Sequence, residues 1–88
     1  MDDERCLDAC RDLAKRLGIG IRYIGSGNSG LCTVRGKRVF FLNRTHGPHA
    51  QARAFVRDLR TLDLDGYFIV PALRDLLEDD DDSDWNAD

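Results

Sequence analysis

Apolar side chains recur at helical spacing in two segments of this chain, about residues 4–17 and about residues 48–62. Spacings of three and four residues place such side chains on one face of a helix. The first segment carries this stripe at Leu7, Cys10, Leu13, Ala14 and Leu17. The second carries it at Ala52, Phe55, Val56, Leu59 and Leu62. We predict a helix over each segment, with Asp2 or Asp3 capping the first and Pro48 in the first turn of the second.

The residues between these helices are patterned as β-strands. Alternating apolar positions predict a strand over residues 19–24, and two apolar runs predict a hairpin over 31–35 and 38–43. Gly36 and Lys37 fit a two-residue hairpin turn between those runs. Strands in this order and this close together predict an antiparallel meander.

The register set by that turn makes both faces of the hairpin apolar. It pairs Val34 with Val39, and it places Arg35 opposite Arg38 across the ladder. Facing arginines are destabilising unless an anion lies between them. An antiparallel sheet with helices on one side is normally polar on the other side. We therefore expect either helices on both faces of the sheet or a partner on one of them.

The C-terminal part continues with short elements. Residues 67–70 can form a fourth strand, and Pro71 opens a short third helix that runs to about Glu78. The fold class is then α+β, in the order α-β-β-β-α-(β)-α. We expect a small antiparallel meander of three strands, or four, packed with two main helices and a short C-terminal helix. Its core is predicted to include Phe41, Phe55 and Leu59.

Length and charge divide the chain into one domain and a tail. Residues 1–78 suit a single α+β domain. Residues 79–88 hold six acidic side chains and one aromatic side chain, Trp85, so we expect a disordered acidic tail that the domain does not need for folding. No apolar run approaches the ~20 residues of a membrane span, and the acidic start lacks the basic region of a signal peptide. We therefore expect a cytoplasmic protein with no membrane partner.

The charged residues are biased toward two types, with 11 Arg against 2 Lys and 14 Asp against 2 Glu. Excess Asp with scarce Lys keeps a protein surface hydrated at high salt. A small protein from a halophilic or GC-rich bacterium is one hypothesis, and simple codon bias is the alternative.

A glycine-rich loop is the first candidate for chemistry. Gly25, Gly27 and Gly30 spell G-x-G-x-x-G after a predicted strand. In dinucleotide-binding proteins a helix follows this motif, and its N-terminus holds the pyrophosphate. Here a strand is predicted to follow, so the pattern favours a flexible connection over a nucleotide site.

The cysteines and histidines are the second candidate. Cys6, Cys10, His46 and His49 together could supply four zinc ligands, although neither pair has the C-x2-C spacing of structural zinc sites. Cys32 is interpreted as a buried cysteine of a central strand rather than a nucleophile, because no acid is placed to orient a histidine beside it. We expect neither a cofactor nor an enzymatic activity.

The layout resembles the first half of ImmA/IrrE-type metallopeptidases. The likeness comprises a helix, Leu17-Gly18-Ile19, a strand, a hairpin that ends in Phe41-Leu42-Asn43, and a second helix. Members of that family carry H-E-x-x-H on the second helix. Here residues 50–59 read AQARAFVRDL, with neither the zinc histidines nor the catalytic glutamate. The resemblance therefore implies no zinc peptidase activity for this chain.

The charge distribution along the chain is asymmetric. Residues 78–88 carry seven acidic side chains and no basic one, whereas residues 1–77 carry all 13 basic side chains and a net charge of +4. A basic body with an acidic tail indicates an anionic partner, and a solvated face with a solubilising tail is the alternative. The candidate anion- or nucleic-acid-binding residues lie at the hairpin tip and along the second helix: Arg35, Lys37, Arg38, Arg53, Arg57 and Arg60.

These patterns favour a non-catalytic binding or regulatory module. We expect it to act through protein–protein contacts with an unknown partner or as a homodimer, since a partner would cover the second apolar face of the hairpin. The alternative is a nucleic-acid-binding domain that uses the basic hairpin tip and helix. In that alternative the acidic tail acts as an internal competitor for the basic surface.

Overall fold

The computed structural model describes residues 2–78, which form three helices and one three-stranded sheet. The predicted small α+β fold class is confirmed, and the predicted acidic tail lies outside the described residues. The elements are, in chain order, α1 (Asp3–Arg16), β1 (Gly20–Ile24), β2 (Gly30–Val34), β3 (Lys37–Asn43), α2 (Pro48–Leu59) and α3 (Pro71–Glu78). In the part of the chain described, no helix has the length and apolar character needed to cross a membrane.

The helix ends follow the local chemistry of the sequence. The Asp2 carboxylate caps α1 by accepting the Arg5 backbone N–H at 2.8 Å. Gly18 adopts φ 78°, a left-handed conformation that suits glycine, and ends this helix. Pro48 occupies the first turn of α2, as predicted. That helix ends at Leu59, three residues before the predicted Leu62, because the chain tightens there into bonds between residues three apart.

The sheet is mixed, with strand order β1-β3-β2, so the predicted antiparallel meander is wrong. The hairpin of β2 and β3 is antiparallel as expected, but β1 pairs with β3 in parallel. The centre of a sheet is its most buried place, and β3 has the longest uninterrupted apolar run of the three strands, Val39, Phe40, Phe41 and Leu42. The glycine-rich residues 25–29 let the chain cross to the far edge before it returns along the centre. Residues 67–70 belong to no strand, so the fourth strand is also wrong.

The hairpin turn is centred one residue earlier than predicted. Arg35 and Gly36 both have positive φ, at 53° and 80°, which defines a two-residue turn of the primed type. Val34 therefore pairs with Lys37, and Arg38 lies opposite Thr33. Arg35 and Arg38 therefore do not pair across the two strands, contrary to the prediction. The anion site expected between them is absent as well. The pairing shifts by two positions, so the hairpin side chains still divide between the two faces in the predicted groups.

Both long helices pack on one face of the sheet and form the core there. Phe40 of β3 stacks on Phe55 of α2, with ring centroids 3.9 Å apart and planes 7° apart. Phe55 and Leu59 are buried, as predicted. Phe41 is only half-buried and points to the other face, because adjacent strand positions alternate, so its predicted core position is wrong. The remaining core is supplied mainly by Leu7, Cys10, Leu13, Ala14, Leu42, Ala52, Val56 and Leu73.

Candidate interaction surface

The sheet face opposite the helices carries apolar side chains that have no covering layer in residues 2–78. We call it the open face, and by strand alternation it comprises Arg22, Ile24, Cys32, Val34, Lys37, Val39 and Phe41. The helices α1 and α2 lie against the opposite face, and α3 packs on those two helices rather than on the sheet. Half-buried apolar residues such as Leu31 and Ile21 pack against the core. Ile24, Val39 and Phe41 are half-buried without packing against that core.

The strand register places the open-face side chains in rows across the sheet. Arg22 of β1 lies beside Phe41, and Cys32 of β2 lies beside Val39. The third row pairs Val34, which is 43% exposed, with Lys37 at the hairpin end. Apolar side chains thus run diagonally across the face from Ile24 to Val34, and Arg22 and Lys37 lie beside this strip.

The strands and the hairpin tip that form the open face carry only basic charge. Residues 20–43 contain four Lys and Arg residues and no Asp or Glu, and one carboxylate, that of Asp58, lies at the β2 edge, where a Cβ on Gly30 would approach it to 3.4 Å. Arg22 and Lys37 lie on the face itself, and the exposed Arg35 and Arg38 flank it at the hairpin tip. Arg44 lies over the glycine-rich loop, where a Cβ on Gly25 would approach its guanidinium to 3.2 Å. The open face is therefore an apolar strip with a basic border.

The outer edge of β2 is occupied by the C-terminal part of α2. The Leu31 backbone N–H donates to the Asp58 carboxylate at 2.8 Å. Arg57 lies beside that carboxylate at 3.1 Å and donates to the Ser29 carbonyl at 3.4 Å. An edge strand whose amide is already bonded is a poor template for an added strand. This arrangement leaves the open face, rather than the β2 edge, available for contact.

The six predicted basic residues lie in separate parts of the domain. Arg35, Lys37 and Arg38 are exposed at the hairpin tip. Arg57 lies near the opposite end of β2, about 13 Å along a strand of this length. Arg60 donates to the Leu76 carbonyl at 2.8 Å and so ties α2 to α3. The half-buried Arg53 lies on α2, on the helix side of the sheet.

The predicted zinc option is not assembled. Across residues 2–78, no group of three or more potential metal-ligating side chains comes together. Cys6 and Cys10 are buried on α1, whereas His46 lies 3.3 Å from the Ser29 hydroxyl and His49 lies 3.2 Å from the Asp3 carboxylate. These four residues are therefore divided between three separate local contacts.

Hydrogen bonding and burial determine the protonation state of the two cysteines on α1. The hydrogen bond between the thiols of Cys6 and Cys10 raises the pKa of Cys10, and burial raises it further. The same hydrogen bond lowers the pKa of Cys6. Cys10 consequently remains a neutral thiol in the core and is not a nucleophile.

Cys32 differs from the sequence-based interpretation. It lies on the edge strand β2 and is exposed on the open face, so the expectation of a buried cysteine in a central strand is wrong. It is the one exposed cysteine of the three.

A buried polar cluster around Asn43 was not predicted from the sequence. The Asn43 amide nitrogen donates to the Gly27 carbonyl at 2.6 Å, and its backbone N–H donates to the Ser29 hydroxyl at 2.9 Å. Gln51 donates to the Asn43 carbonyl at 2.9 Å, which joins α2 to the end of β3. These bonds hold the glycine-rich loop against the strand ends. The signal available in the sequence was an asparagine that directly follows an apolar run.

The same cluster brings a serine and a histidine together without making a catalytic site. The Ser29 hydroxyl lies 3.3 Å from Nδ1 of His46 and is buried. No carboxylate pairs with His46 in residues 2–78. A serine nucleophile needs an oriented base and an accessible hydroxyl, so these groups are structural.

Comparison with known proteins gives no match to a protein-family model, to a curated protein or to a solved structure.

Proposed function

We propose that this protein is a non-catalytic binding module that holds a protein partner on the open face. The observation that supports the proposal is the set of apolar side chains on that face, Ile24, Val34, Val39 and Phe41, which neither α1, α2 nor α3 covers. A contiguous apolar strip with a polar border is typical of protein-interaction sites. The dispersed cysteines and histidines favour binding over catalysis.

The charge of the open face favours a different protein over a second copy packed face to face. Two copies in that arrangement would bring Arg22 and Lys37 of one copy toward the same residues of the other. Like charges buried in an interface without counter-charges are costly. Light scattering tests this point: a monomer is expected, and a stable dimer that Val34→Asp dissociates would assign the face to self-association.

Binding to the open face is tested with a pair of matched variants. Val34→Asp places a charge on the face, and Phe68→Asp places the same charge at an apolar residue that is 70% exposed elsewhere. Immobilised full-length protein should retain its partner with Phe68→Asp and lose it with Val34→Asp. A partner retained equally by both variants would show that binding uses another surface.

The nucleic-acid alternative is favoured by one observation, the exposed basic hairpin tip of Arg35, Lys37 and Arg38. Arg57 and Arg60 weaken it, because both donate to backbone carbonyls of the domain itself. A gel shift at two salt concentrations tests it, since phosphate contacts on a duplex give a slope of about −0.9 each in log K against log salt. Salt-insensitive or absent binding, with the acidic tail neutralised, removes this alternative.

A further inference from the structure

Residues 79–88, which follow the described part of the chain, carry the acidic side chains that the open face lacks. Residues 79–88 read DDDDSDWNAD, with six acidic side chains around Trp85, the one tryptophan of the protein. Residues 13–57, which build the whole sheet, have nine basic side chains and no acidic one. An acidic segment with a single large aromatic residue complements an apolar strip with a basic border.

We infer that the open face is the docking site of residues 79–88 of the same chain, with Trp85 on the apolar strip and the aspartates beside Arg22 and Lys37. The inference rests on the proposed function, because a partner must displace this segment from the face that both use. It also specifies the partner: an acidic protein segment with an aromatic anchor.

The geometry allows the segment to reach the face. Arg60 at the end of α2 donates to the Leu76 carbonyl, which places the last turn of α3 at that end of the molecule. Asp58, two residues before Arg60, lies against the outer edge of β2. The segment thus begins on the β2 side of the domain. The seven residues from Glu78 to Trp85 span up to roughly 25 Å when extended, and the shortest dimension of the molecule is 20 Å.

A second exposed apolar patch offers a poorer fit. Tyr67, Phe68 and Val70 are exposed between α2 and α3, where Arg16 donates to the Phe68 carbonyl at 2.6 Å. Residues 61–77 around this patch carry three aspartates and one arginine, Arg74. This net negative charge disfavours an acidic segment, so charge favours the open face.

Docking within one chain is expected to be partial and salt-sensitive. A short tether supplies an effective concentration in the millimolar range, so a millimolar contact is occupied about half of the time. The Debye length falls from about 30 Å at 0.01 M salt to about 3 Å at 1 M, which screens the aspartates from the basic border. Partial occupancy leaves the face open to a partner that binds more tightly.

The single tryptophan and the single exposed cysteine make this contact measurable in the full chain. A nitroxide attached to Cys32 quenches only an indole that touches the open face. We expect about a twofold loss of Trp85 fluorescence at about 0.01 M salt, recovered at about 1 M salt. Replacing the four aspartates of residues 79–82 by asparagine should also restore the fluorescence. The matched control is Lys15→Cys with Cys32→Ser, which moves the label to the exposed surface of α1 and should not quench.

A second measurement avoids the label. In unlabelled protein the Trp85 emission maximum should shift to longer wavelength with Arg22→Glu, and it should not shift with Lys15→Glu. Equal quenching from Cys32 and from position 15, with emission of a fully hydrated indole at low salt, would overturn the inference. Quenching that rises with protein concentration would also overturn it, since the segment would then belong to a second copy. If the docking of residues 79–88 is disproved, the comparison of Val34→Asp with Phe68→Asp still tests the proposed function, so the two ideas can fail separately.

Discussion

Phe40 and Phe41 are neighbours of the same residue type on opposite faces of the sheet, which makes them a matched pair of probes. Phe40 is 1% exposed and stacks on Phe55, whereas Phe41 is half-buried on the open face. Removing a fully buried phenylalanine ring costs about 3–5 kcal/mol, from lost transfer free energy and the cavity left behind. Phe40→Ala should therefore lower the free energy of unfolding by about 3–5 kcal/mol.

Phe41→Ala should cost less than half of that. Its ring faces no helix in residues 2–78, so its removal opens no enclosed cavity, and we expect a loss of about 1–2 kcal/mol. A domain of this size is stable by only about 5–10 kcal/mol, so urea denaturation followed by circular dichroism separates the two values clearly. Equal losses, or a larger loss for Phe41→Ala, would show that the two faces of the sheet have been assigned incorrectly.

Three further predictions follow from individual contacts. Asp58→Ala should cost about 1.5–3 kcal/mol in urea denaturation, because it leaves the Leu31 N–H without its charged acceptor; a loss below about 0.5 kcal/mol would show that water replaces the carboxylate. Arg35→Asn should raise stability by about 0.5–1 kcal/mol by relieving a positive φ, and a lower melting temperature would contradict the assigned turn. A thiol reagent should modify Cys32 alone in the native protein and all three cysteines after denaturation; rapid modification of three thiols in native protein would contradict the buried positions of the other two.

The sequence predicted the element order well and the strand arrangement poorly, for physical reasons. Helical stripes and alternation depend on local spacing, so each helix and strand could be located from them. Strand order depends on which neighbours pair across space, and alternation in residues 19–24 is equally compatible with parallel and antiparallel pairing. The turn was misplaced because Arg35 adopts a positive φ, which is uncommon for a residue with a side chain. The division of the hairpin side chains between two faces was nevertheless correct, since the error shifted the pairing by two positions, but Phe41 was assigned to the wrong face.

Only part of the candidate site could be predicted from the sequence. Apolar residues on both hairpin faces indicated either helices on both faces or a partner on one, and the structure has no helix of residues 2–78 on the open face. Helix periodicity places Arg57 on α2 but does not show that Ser29 lies against it, so the distance of Arg57 from the hairpin tip could not be predicted from the sequence. The cluster around Asn43 depends on bonds between separate loops, which no local pattern reveals.

The mixed sheet strengthens the case for an occupant of the open face beyond what a meander would provide. An antiparallel sheet commonly leaves one face in water and then alternates apolar and polar residues. Parallel strands, in contrast, are normally covered on both faces, and their sequences are apolar throughout. The strand β3 has that composition, and it pairs in parallel with β1 while only one of its faces meets a helix of the described chain. A central strand of this type on an uncovered face supports our proposal that another segment completes the sheet, and the basic border favours an acidic segment in that role.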